Sequence, residues 1–357
     1  MVLLQLSSCN HTTSTLCHRS VTHTRRPISP LFSHLPSLNS LLSQNNSICI
    51  FTHNTQSSRA SAIPFDLSPP PIDHDLYDDM VVAGAKVSED WVIETFNNDD
   101  EALDAVDNGT VVVDLSHYGR IRVSGEDRIP FLHNQSTANF EALSEGGVMM
   151  DLNLGDLIGQ PYGSHKHYNV GGNPVTVAVG SVISEEGFSL LMSPSAAGLI
   201  WKTILSHGTT PMGSNALEIY RIRQGRPAPG SELTDEFNVL EAGLWNSISL
   251  NKGCYKGQET VARLITYDGI KQKLWGIQLS SAVEAGSPIT VEGKKVGKLT
   301  SYTAGKGGNE HFGLGYIKKK AASKGDTVIV GDNVYGIVVD VPYLARQQPP
   351  SVSNSKS

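Results

Sequence analysis

The pattern of apolar and polar positions changes character near residue 270. Before that point, runs with helical spacing alternate with short apolar runs of the kind found in strands. The spacing predicts helices in the segments EDWVIETFNNDDEALDAV, EDRIPFLHNQST, SPSAAGLIWKTILSHG and GSNALEIYRIRQGRP. Two short strands are predicted in GTVVVDLSHYGRIRVSGED, and a strand pair in NPVTVAVGSV and GFSLLMS. Because these elements follow no regular βαβ period, we expect an α+β fold.

Two of the predicted helices carry clear end signals. The third is expected to open at Ser193, with Pro194 in its first turn, and to stop at Gly208. The fourth is expected to use Ser214 as its N-cap and to end before Gly225.

After Ile270 the chain consists of short β-rich runs that are separated by glycine-bearing turns. These runs are KQKLWGIQL, SPITVEGKKVGKLTSYT, FGLGYIKK, DTVIVG and VYGIVVDVPYL. Close spacing without a competing helical period predicts a small antiparallel β-barrel or sandwich over residues 270–346. The boundary is expected at 268–271, and residues 347–357 are expected to form a disordered tail.

The N-terminal region has the composition of a targeting leader. No acidic residue precedes Asp66, whereas four arginines, five histidines and about twenty Ser or Thr residues do. This composition predicts a disordered transit peptide over residues 1–60 and favours the chloroplast; a mitochondrial leader and an ordinary disordered tail are the alternatives. The proline-rich stretch SPPPIDHD predicts a linker over 61–79, so order is expected to begin near Met80.

Composition and charge argue against two classes of partner. No apolar run approaches the roughly 20 residues that span a bilayer, so we expect no membrane partner. The formal net charge of -7 becomes about -11 without the predicted leader, because its four arginines leave and no acidic residue does. An acidic body argues against non-specific nucleic-acid binding, which needs Lys and Arg to neutralise phosphates.

One cysteine remains in the body of the chain. Cys9, Cys17 and Cys49 lie in the predicted leader, which leaves Cys254 alone. One thiol cannot form an internal disulfide, and it cannot hold a zinc ion or an iron-sulfur cluster by itself. Any role with a cluster therefore requires a partner protein or a second copy of the chain.

Cys254 lies in the unusual stretch NKGCYKGQE. Gly253 and Gly257 permit unusual backbone angles and close approach by a ligand. Lys252 and Lys256 should favour the thiolate and lower the pKa of the thiol. The alternative is a cysteine that only packs, since free cysteine is among the most buried residue types.

Other candidate motifs are weaker. GKKVGKL at 293–299 has the wrong glycine spacing for a phosphate-binding loop and fits a hairpin turn. HKH at 165–167 lacks a paired acid or thiol, so we expect no metal site. AGKGGNEHFGLG at 304–315 follows no strand-to-helix signal and is expected to be a loop. No G-x-S-x-G is present to anchor a serine hydrolase triad.

Residues 252–259, KGCYKGQE, resemble the signature of the YgfZ family, folate-binding proteins related to the T-protein of the glycine cleavage system. The resemblance includes FLHNQSTANF, LEIYRIRQGRPAPGSEL and FNVLEAGLWNSISLNKGCYKGQETVARL, and it covers most of residues 110–345. It implies an aminomethyltransferase-like folate-binding lobe of ferredoxin-like units over 80–268, followed by the barrel. In such proteins tetrahydrofolate lies in a central opening, and the activity supports assembly or repair of iron-sulfur clusters in client enzymes.

The resemblance also implies roles for individual residues. Lys252 and Cys254 would carry the chemistry. Contact with folate, or support of the cysteine loop, is implied for Asn134, Gln135, Arg223, Arg226, Glu241, Gly253, Tyr255, Gly257, Gln258 and Glu259. Arg223, Arg226 and Glu241 could equally form surface ion pairs.

Two features separate this chain from the related aminomethyltransferases. Those enzymes place Asn-Asp where we align Asn134 and Gln135, and a neutral amide cannot accept a proton, so aminomethyl transfer is the alternative rather than the preferred activity. A non-catalytic folate-dependent scaffold is a second alternative. The chain also passes from NFEALSEGG directly to VMMDLNLGDLIGQPYG, which predicts that several tens of residues of the first lobe are missing near 147–148. Alternative splicing or an incomplete gene model would produce such a junction.

Overall fold

The computed structural model describes residues 2–8, 74–118, 126–141, 147–149 and 154–347. The helices are α1 His74–Val82, α2 Asp99–Asn108, α3 Arg128–Gln135, α4 Pro194–Ser206, α5 Ser214–Gln224, α6 Gln258–Thr266 and α7 Pro342–Arg346. Strands of the first part are β1 Val2–Ser8, β2 Lys86–Val87, β3 Ile93–Thr95, β4 Thr110–Asp114, β5 Gly147–Met149, β6 His165–Val170, β7 Asn173–Val179, β8 Phe188–Met192 and β9 Thr210–Met212. The second part contains β10 Gln272–Leu279, β11 Pro288–Val291, β12 Lys294–Ala304, β13 His311–Lys318, β14 Thr327–Val330 and β15 Val334–Val339.

The first part of the chain is built around a mixed sheet. Within the described residues its strand order is β5-β6-β7-β8-β1-β4-β9. The β4/β9 and β5/β6 pairs are parallel and the other pairs are antiparallel. Helices pack on this sheet without a repeating βαβ unit, which confirms the α+β expectation.

The second part is a closed antiparallel barrel with the strand order β10-β13-β12-β11-β14-β15. Its interior is filled by alternating apolar side chains, among them Ile277, Leu299, Ile317 and Val338, each fully buried. The predicted antiparallel barrel is thus confirmed, and its first strand begins at Gln272. The segment GKKVGKL forms the β11–β12 turn and the start of β12, as the hairpin interpretation predicted.

Both end signals of α4 and the C-terminal signal of α5 act as predicted. Ser193 is extended before α4, Pro194 occupies its first turn, and Gly208 follows it with φ of +82°. Gly225 ends α5 in the left-handed conformation, although the N-cap is Gly213 rather than the predicted Ser214. The predicted strand pair over residues 173–192 is also present as β7 and β8.

The helix predicted from Glu89 is wrong in its first half. Ile93–Thr95 forms strand β3, which pairs with β2, and only Asp99–Asn108 is helical. Asn97 adopts a positive φ of 59°, which interrupts a right-handed helix, and the Thr95 hydroxyl donates to Asp99 Oδ1 at 2.6 Å. The β-branched residues before this break therefore join a sheet. Of the two strands predicted in GTVVVDLSHYGRIRVSGED, the first is β4 and the second falls on 119–125, outside the described residues.

Ordered structure extends further toward the N-terminus than predicted. Helix α1 begins at His74, inside the predicted linker, because Leu76, Tyr77 and Met80 bury their side chains in the core of the first part. Strand β1 lies in the predicted leader and pairs with β4 and β8, in contrast to the disorder expected there. The remainder of the predicted leader and the C-terminal tail lie outside the described residues.

Candidate functional site

The cysteine-bearing stretch lies along the C-terminal end of α3. The Ser249 N–H donates to the Thr137 carbonyl at 2.9 Å, and the Lys256 N–H donates to the Asn134 carbonyl at 2.9 Å. Two stretches that are separated by more than a hundred residues in sequence thus form one unit. We call residues 252–257 the thiol loop.

Lys252 makes the strongest connection between the thiol loop and α3. Its side chain is 9% exposed. The ammonium donates to the carbonyls of Ser136 at 2.6 Å and Ala138 at 2.7 Å, and also to the carbonyl of His133. Carbonyls at the end of a helix lack intrahelical donors and carry partial negative charge, so an ammonium is a favourable partner there.

This arrangement differs from the one that the sequence suggested for Lys252. An ammonium has three N–H donors, and three carbonyls accept them, while the Tyr255 ring centroid lies 4.7 Å from Nζ. The same ammonium cannot donate to the thiolate in this conformation. A direct chemical role for Lys252 stays a prediction, and the contacts favour a structural one. Lys256, the other lysine of the thiol loop, is exposed.

Cys254 is a free and exposed thiol. This exposure contradicts the alternative in which the cysteine only packs in the interior. A Cβ added at Gly253 or Gly257 would meet no atom of the described residues within 4 Å, so these residues leave open space on both sides of the thiol. Gly257 requires glycine for a different reason, because its φ of +90° strains any L-residue.

Helix α6 begins directly after the thiol loop and closes it. The Tyr255 N–H donates to Gln258 Oε1 at 3.3 Å, and the Gln258 N–H donates to the Tyr255 carbonyl at 3.2 Å. Glu259 is exposed in the first turn, where a carboxylate interacts favourably with the helix dipole. Burial raises the pKa of the Tyr255 phenol. Sequence reasoning missed α6, although Val261 and Leu264 show helical spacing.

The end of α3 presents polar groups next to the thiol loop. The side chains of Asn134 and Gln135 are exposed. His133, in the same turn, is only 4% exposed, and its buried Nδ1 has no hydrogen-bond partner in the part of the chain that the structure describes. Two predicted site residues are therefore brought to the loop, together with a buried imidazole that the sequence analysis did not identify.

The two predicted arginines lie at the junction with the barrel instead. Arg223 Nη2 pairs with Glu310 Oε2 at 2.6 Å, and Glu310 is exposed, so the ion-pair alternative describes its contacts. The Arg226 guanidinium lies 4.5 Å from the Tyr343 ring centroid and donates to the Tyr343 hydroxyl. These residues connect α5 to β13 and α7.

Glu241 also forms hydrogen bonds at the junction between the first part of the chain and the barrel. It is 6% exposed, and its Oε2 accepts from the Asn238 N–H and the Gln272 side-chain amide, each at 3.3 Å. Its carbonyl accepts from the Leu274 N–H at 3.0 Å. The carboxylate is thus engaged by the start of the barrel, and a role in folate binding stays a prediction.

A buried network that sequence reasoning missed lies nearby. Glu232 is fully buried, and its Oε1 accepts from the hydroxyls of Thr300 and Ser301 at 2.6 Å each. Its Oε2 pairs with Arg221 Nη1 at 2.9 Å. Burial lowers the pKa of Arg221, but hydrogen bonds and charges from Glu218 and Glu232 outweigh that effect and raise it overall. No spacing signal in the sequence links these residues.

The HKH segment is engaged within its own part of the fold. His165 Nδ1 lies 3.2 Å from the Gly163 carbonyl, and His167 Nδ1 lies 2.8 Å from the Thr176 hydroxyl. Across the described ranges, no group of three or more His, Cys, Asp or Glu side chains is arranged to hold a metal ion. In the same residues, no helix combines the length and apolar character needed to cross a membrane.

Two family models match this chain. The GCVT N-terminal domain matches residues 150–252, which includes the first residue of the thiol loop. The glycine cleavage T-protein C-terminal barrel domain matches residues 272–339, which corresponds to the closed barrel. The order of the two matches agrees with the architecture described above.

Individual relatives and one solved structure are similar to this chain. A chloroplastic protein of Arabidopsis thaliana, named as a transferase candidate, is 55% identical over 372 residues and covers 84% of this chain and 86% of that relative. An aminomethyltransferase of Halothermothrix orenii is 24% identical and covers 74% of this chain and 70% of that enzyme. A crystal structure of the glycine cleavage system aminomethyltransferase T from Bartonella henselae matches with a TM-score of 0.44 at 16% identity, over 52% of this chain and 53% of that chain.

The alignment with the Arabidopsis relative contains more positions than the number of residues that this chain contributes to it. It spans 372 residues, whereas 84% of this chain is about 300 residues. About 70 aligned positions of that relative therefore have no counterpart here. This difference has the size of the segment that is expected to be missing from the first lobe.

Proposed function

Because this chain belongs to the aminomethyltransferase-like family of the glycine cleavage T-protein, we propose that it binds tetrahydrofolate and uses the thiol loop at that site. The observation that carries this proposal is the attachment of the loop to the end of α3. The Lys256 N–H donates to the Asn134 carbonyl, and the nearby side chains of Cys254, Asn134 and Gln135 are all exposed.

The side chains at the end of α3 and in the thiol loop can make the hydrogen bonds that a pterin ring requires. An amide side chain offers both donors and an acceptor, and the edge of a pterin ring requires both. Among the described residues, the buried His133 Nδ1 has no hydrogen-bond partner, and open space lies around Gly253 and Gly257. Asn134, Gln135 and the face of Tyr255 would hold the ring. Folate supplies a carrier for one-carbon units when it is bound.

The finer proposal is a YgfZ-like role in the assembly or repair of iron-sulfur clusters in organellar enzymes. Eight consecutive residues of the thiol loop region, KGCYKGQE, support it. Cys254 is exposed, so a partner protein can reach its sulfur. One thiolate supplies one ligand, and the client protein must supply the others for a cluster to be transferred.

Aminomethyl transfer is the second candidate function, and the names of several relatives favour it. The side chains at 134 and 135 are amides, which cannot act as a general base. A folate-dependent scaffold without turnover is the third candidate. It is compatible with the same contacts, since it requires the loop but no chemistry of the thiol.

The chloroplast is the proposed location. The acid-free, hydroxyl-rich N-terminal region supports it, and so does the chloroplastic name of the Arabidopsis relative. A shortened first lobe is proposed as well, supported by the alignment positions that lack a counterpart in this chain. Sequencing the transcript across residues 147–148 tests it, and a continuous message with no longer form would refute it.

Titration with tetrahydrofolate by calorimetry is the direct test of the main proposal. We expect saturable binding to the wild-type chain, and a loss of affinity of about tenfold or more when Asn134 and Gln135 are both changed to alanine, because each amide contributes hydrogen bonds to the ligand. Asn333→Ala, an exposed amide in the barrel, is the matched control and should leave the affinity unchanged. Absence of binding to the wild-type chain would remove the folate proposal in all three forms.

A further inference from the structure

We propose that Lys252 is a positioning residue, whose ammonium holds the thiol loop on the last turn of α3 and thereby sets Cys254 beside Asn134 and Gln135. The importance of this role rests on the proposed function. The contacts themselves do not, because they join two parts of the same chain.

The donors and acceptors at the ammonium match in number. Three carbonyls, those of His133, Ser136 and Ala138, surround three N–H groups at the end of α3. The last carbonyls of a helix need partners from outside the helix, and Lys252 supplies a charged one. A buried ammonium is unfavourable without such partners, so the loop and the helix end stabilise each other.

Backbone hydrogen bonds place the loop on the same helix end. Four residues after Lys252, the Lys256 N–H donates to the Asn134 carbonyl. Three residues before Lys252, the Ser249 N–H donates to the Thr137 carbonyl. Lys252 therefore lies at the centre of a short two-segment contact. Loss of its ammonium should weaken the backbone hydrogen bonds on both sides.

The arrangement of the three carbonyl acceptors fits a lysine better than an arginine. A compact ammonium can direct its three protons to the His133 carbonyl of α3 and to the Ser136 and Ala138 carbonyls that follow the helix, whereas a guanidinium is planar and donates in a fixed fork. The same geometry separates the two lysines of the loop. Lys252 is occupied by the three carbonyls, whereas the Lys256 side chain is exposed, so Lys256 is the loop lysine whose charge can act on Cys254.

Two measurements on the full chain test this division of roles. Hydrogen exchange of a peptide spanning residues 247–257 reports the attachment of the loop, and a peptide from β10 reports global unfolding. The rate of Cys254 alkylation by iodoacetamide reports thiol chemistry, and it is read by mass spectrometry on the Cys254 peptide because the chain has four cysteines. The variants are Lys252→Met, Lys252→Arg and, as the matched control, Lys256→Met.

We expect Lys252→Met to accelerate loop exchange by about tenfold without slowing alkylation, while β10 exchange stays unchanged. Lys252→Arg keeps the charge but should restore only part of the protection. Lys256→Met should leave loop exchange unchanged and slow alkylation. If Lys252→Met instead slows alkylation and leaves loop exchange unchanged, Lys252 acts on the thiol directly and the proposal is wrong.

A milder variant covers the case in which Lys252→Met unfolds the chain. The Thr137 hydroxyl donates to the Ser247 carbonyl at 2.8 Å, within the same two-segment contact. Thr137→Val removes this hydrogen bond and should accelerate loop exchange by roughly threefold. Unchanged loop exchange in Thr137→Val would then overturn the proposal. None of these readouts requires folate, so failure here is distinguishable from failure of the proposed function.

Discussion

Arg221 and Glu232 form an ion pair in the interior of the chain, with 2.9 Å between Nη1 and Oε2. Arg221 lies on α5, and Glu232 accepts hydrogen bonds from Thr300 and Ser301 of β12. The pair therefore connects the first part of the fold to the barrel. Its carboxylate is fully buried and is satisfied at both oxygens, which is the condition under which a buried charge is tolerated.

Glu232→Gln should destabilise the protein strongly. The change leaves Arg221 buried with one carboxylate fewer, and breaking a buried pair costs about 3–5 kcal/mol. Urea unfolding measures the free energy of unfolding. Glu236→Gln is the control, because Glu236 pairs with Lys298 at 3.2 Å in an exposed position and its loss should cost about 0.5 kcal/mol. Equal effects of the two changes would contradict the role assigned to the buried pair.

Gly225→Ala should also destabilise, by about 2–3 kcal/mol. A left-handed conformation costs a residue with a Cβ about 1–2 kcal/mol, and the new Cβ would lie only 2.6 Å from Val341 Cβ. Gly230→Ala is matched in backbone conformation, with φ of +82°, but its Cβ would meet no atom within 4 Å. The difference between the two variants in thermal unfolding isolates the contact with Val341, and a difference near zero would show that Val341 moves away.

The buried phenol of Tyr316 should make the free energy of unfolding depend on pH in the alkaline range. Burial raises the pKa of its phenol, and the charges of Glu232 and Glu241 raise it further. The folded state therefore favours the protonated phenol, and this stabilisation is complete below about pH 10, the ordinary tyrosine pKa, and is lost as pH rises above it. Tyr316→Phe should flatten the decline in stability above about pH 10.

Tyr316→Phe should also lower the free energy of unfolding at neutral pH. The Tyr316 hydroxyl donates to the Glu232 carbonyl at 2.9 Å in the interior, and loss of that donor costs about 1–2 kcal/mol. Tyr335→Phe is the control because Tyr335 is 63% exposed, and it should change neither quantity. Chemical unfolding at a series of pH values measures both effects, and an unaltered alkaline profile in Tyr316→Phe would contradict the prediction.

Cys254→Ser separates chemistry from scaffolding. The thiol is exposed, so the free energy of unfolding should change by less than about 0.5 kcal/mol, and tetrahydrofolate affinity should be retained. Loss of client iron-sulfur enzyme activity in plastids that carry only this variant would support a chemical role for the thiol. Unchanged client activity would favour the scaffold.

Local signals predicted much of the fold. The β-rich runs after Ile270 predicted the barrel, because alternation along a strand depends only on neighbouring residues. The ends of α4 were predicted from Pro194 and Gly208 for the same reason. The helix predicted from Glu89 failed where Asn97 adopts a positive φ, a choice made by the pairing of β2 with β3 and not by helical spacing.

By itself, the sequence determined the class of the fold, the antiparallel barrel and the residue types of the thiol loop, since the signal for each lies in consecutive residues. Tertiary structure alone decided the partners of those residues. The Lys252 ammonium meets backbone carbonyls more than a hundred positions away, and every residue carries such a carbonyl, so no residue type marks the acceptor in the sequence. Glu232 likewise finds Arg221 and β12 only when the chain brings them together in the interior.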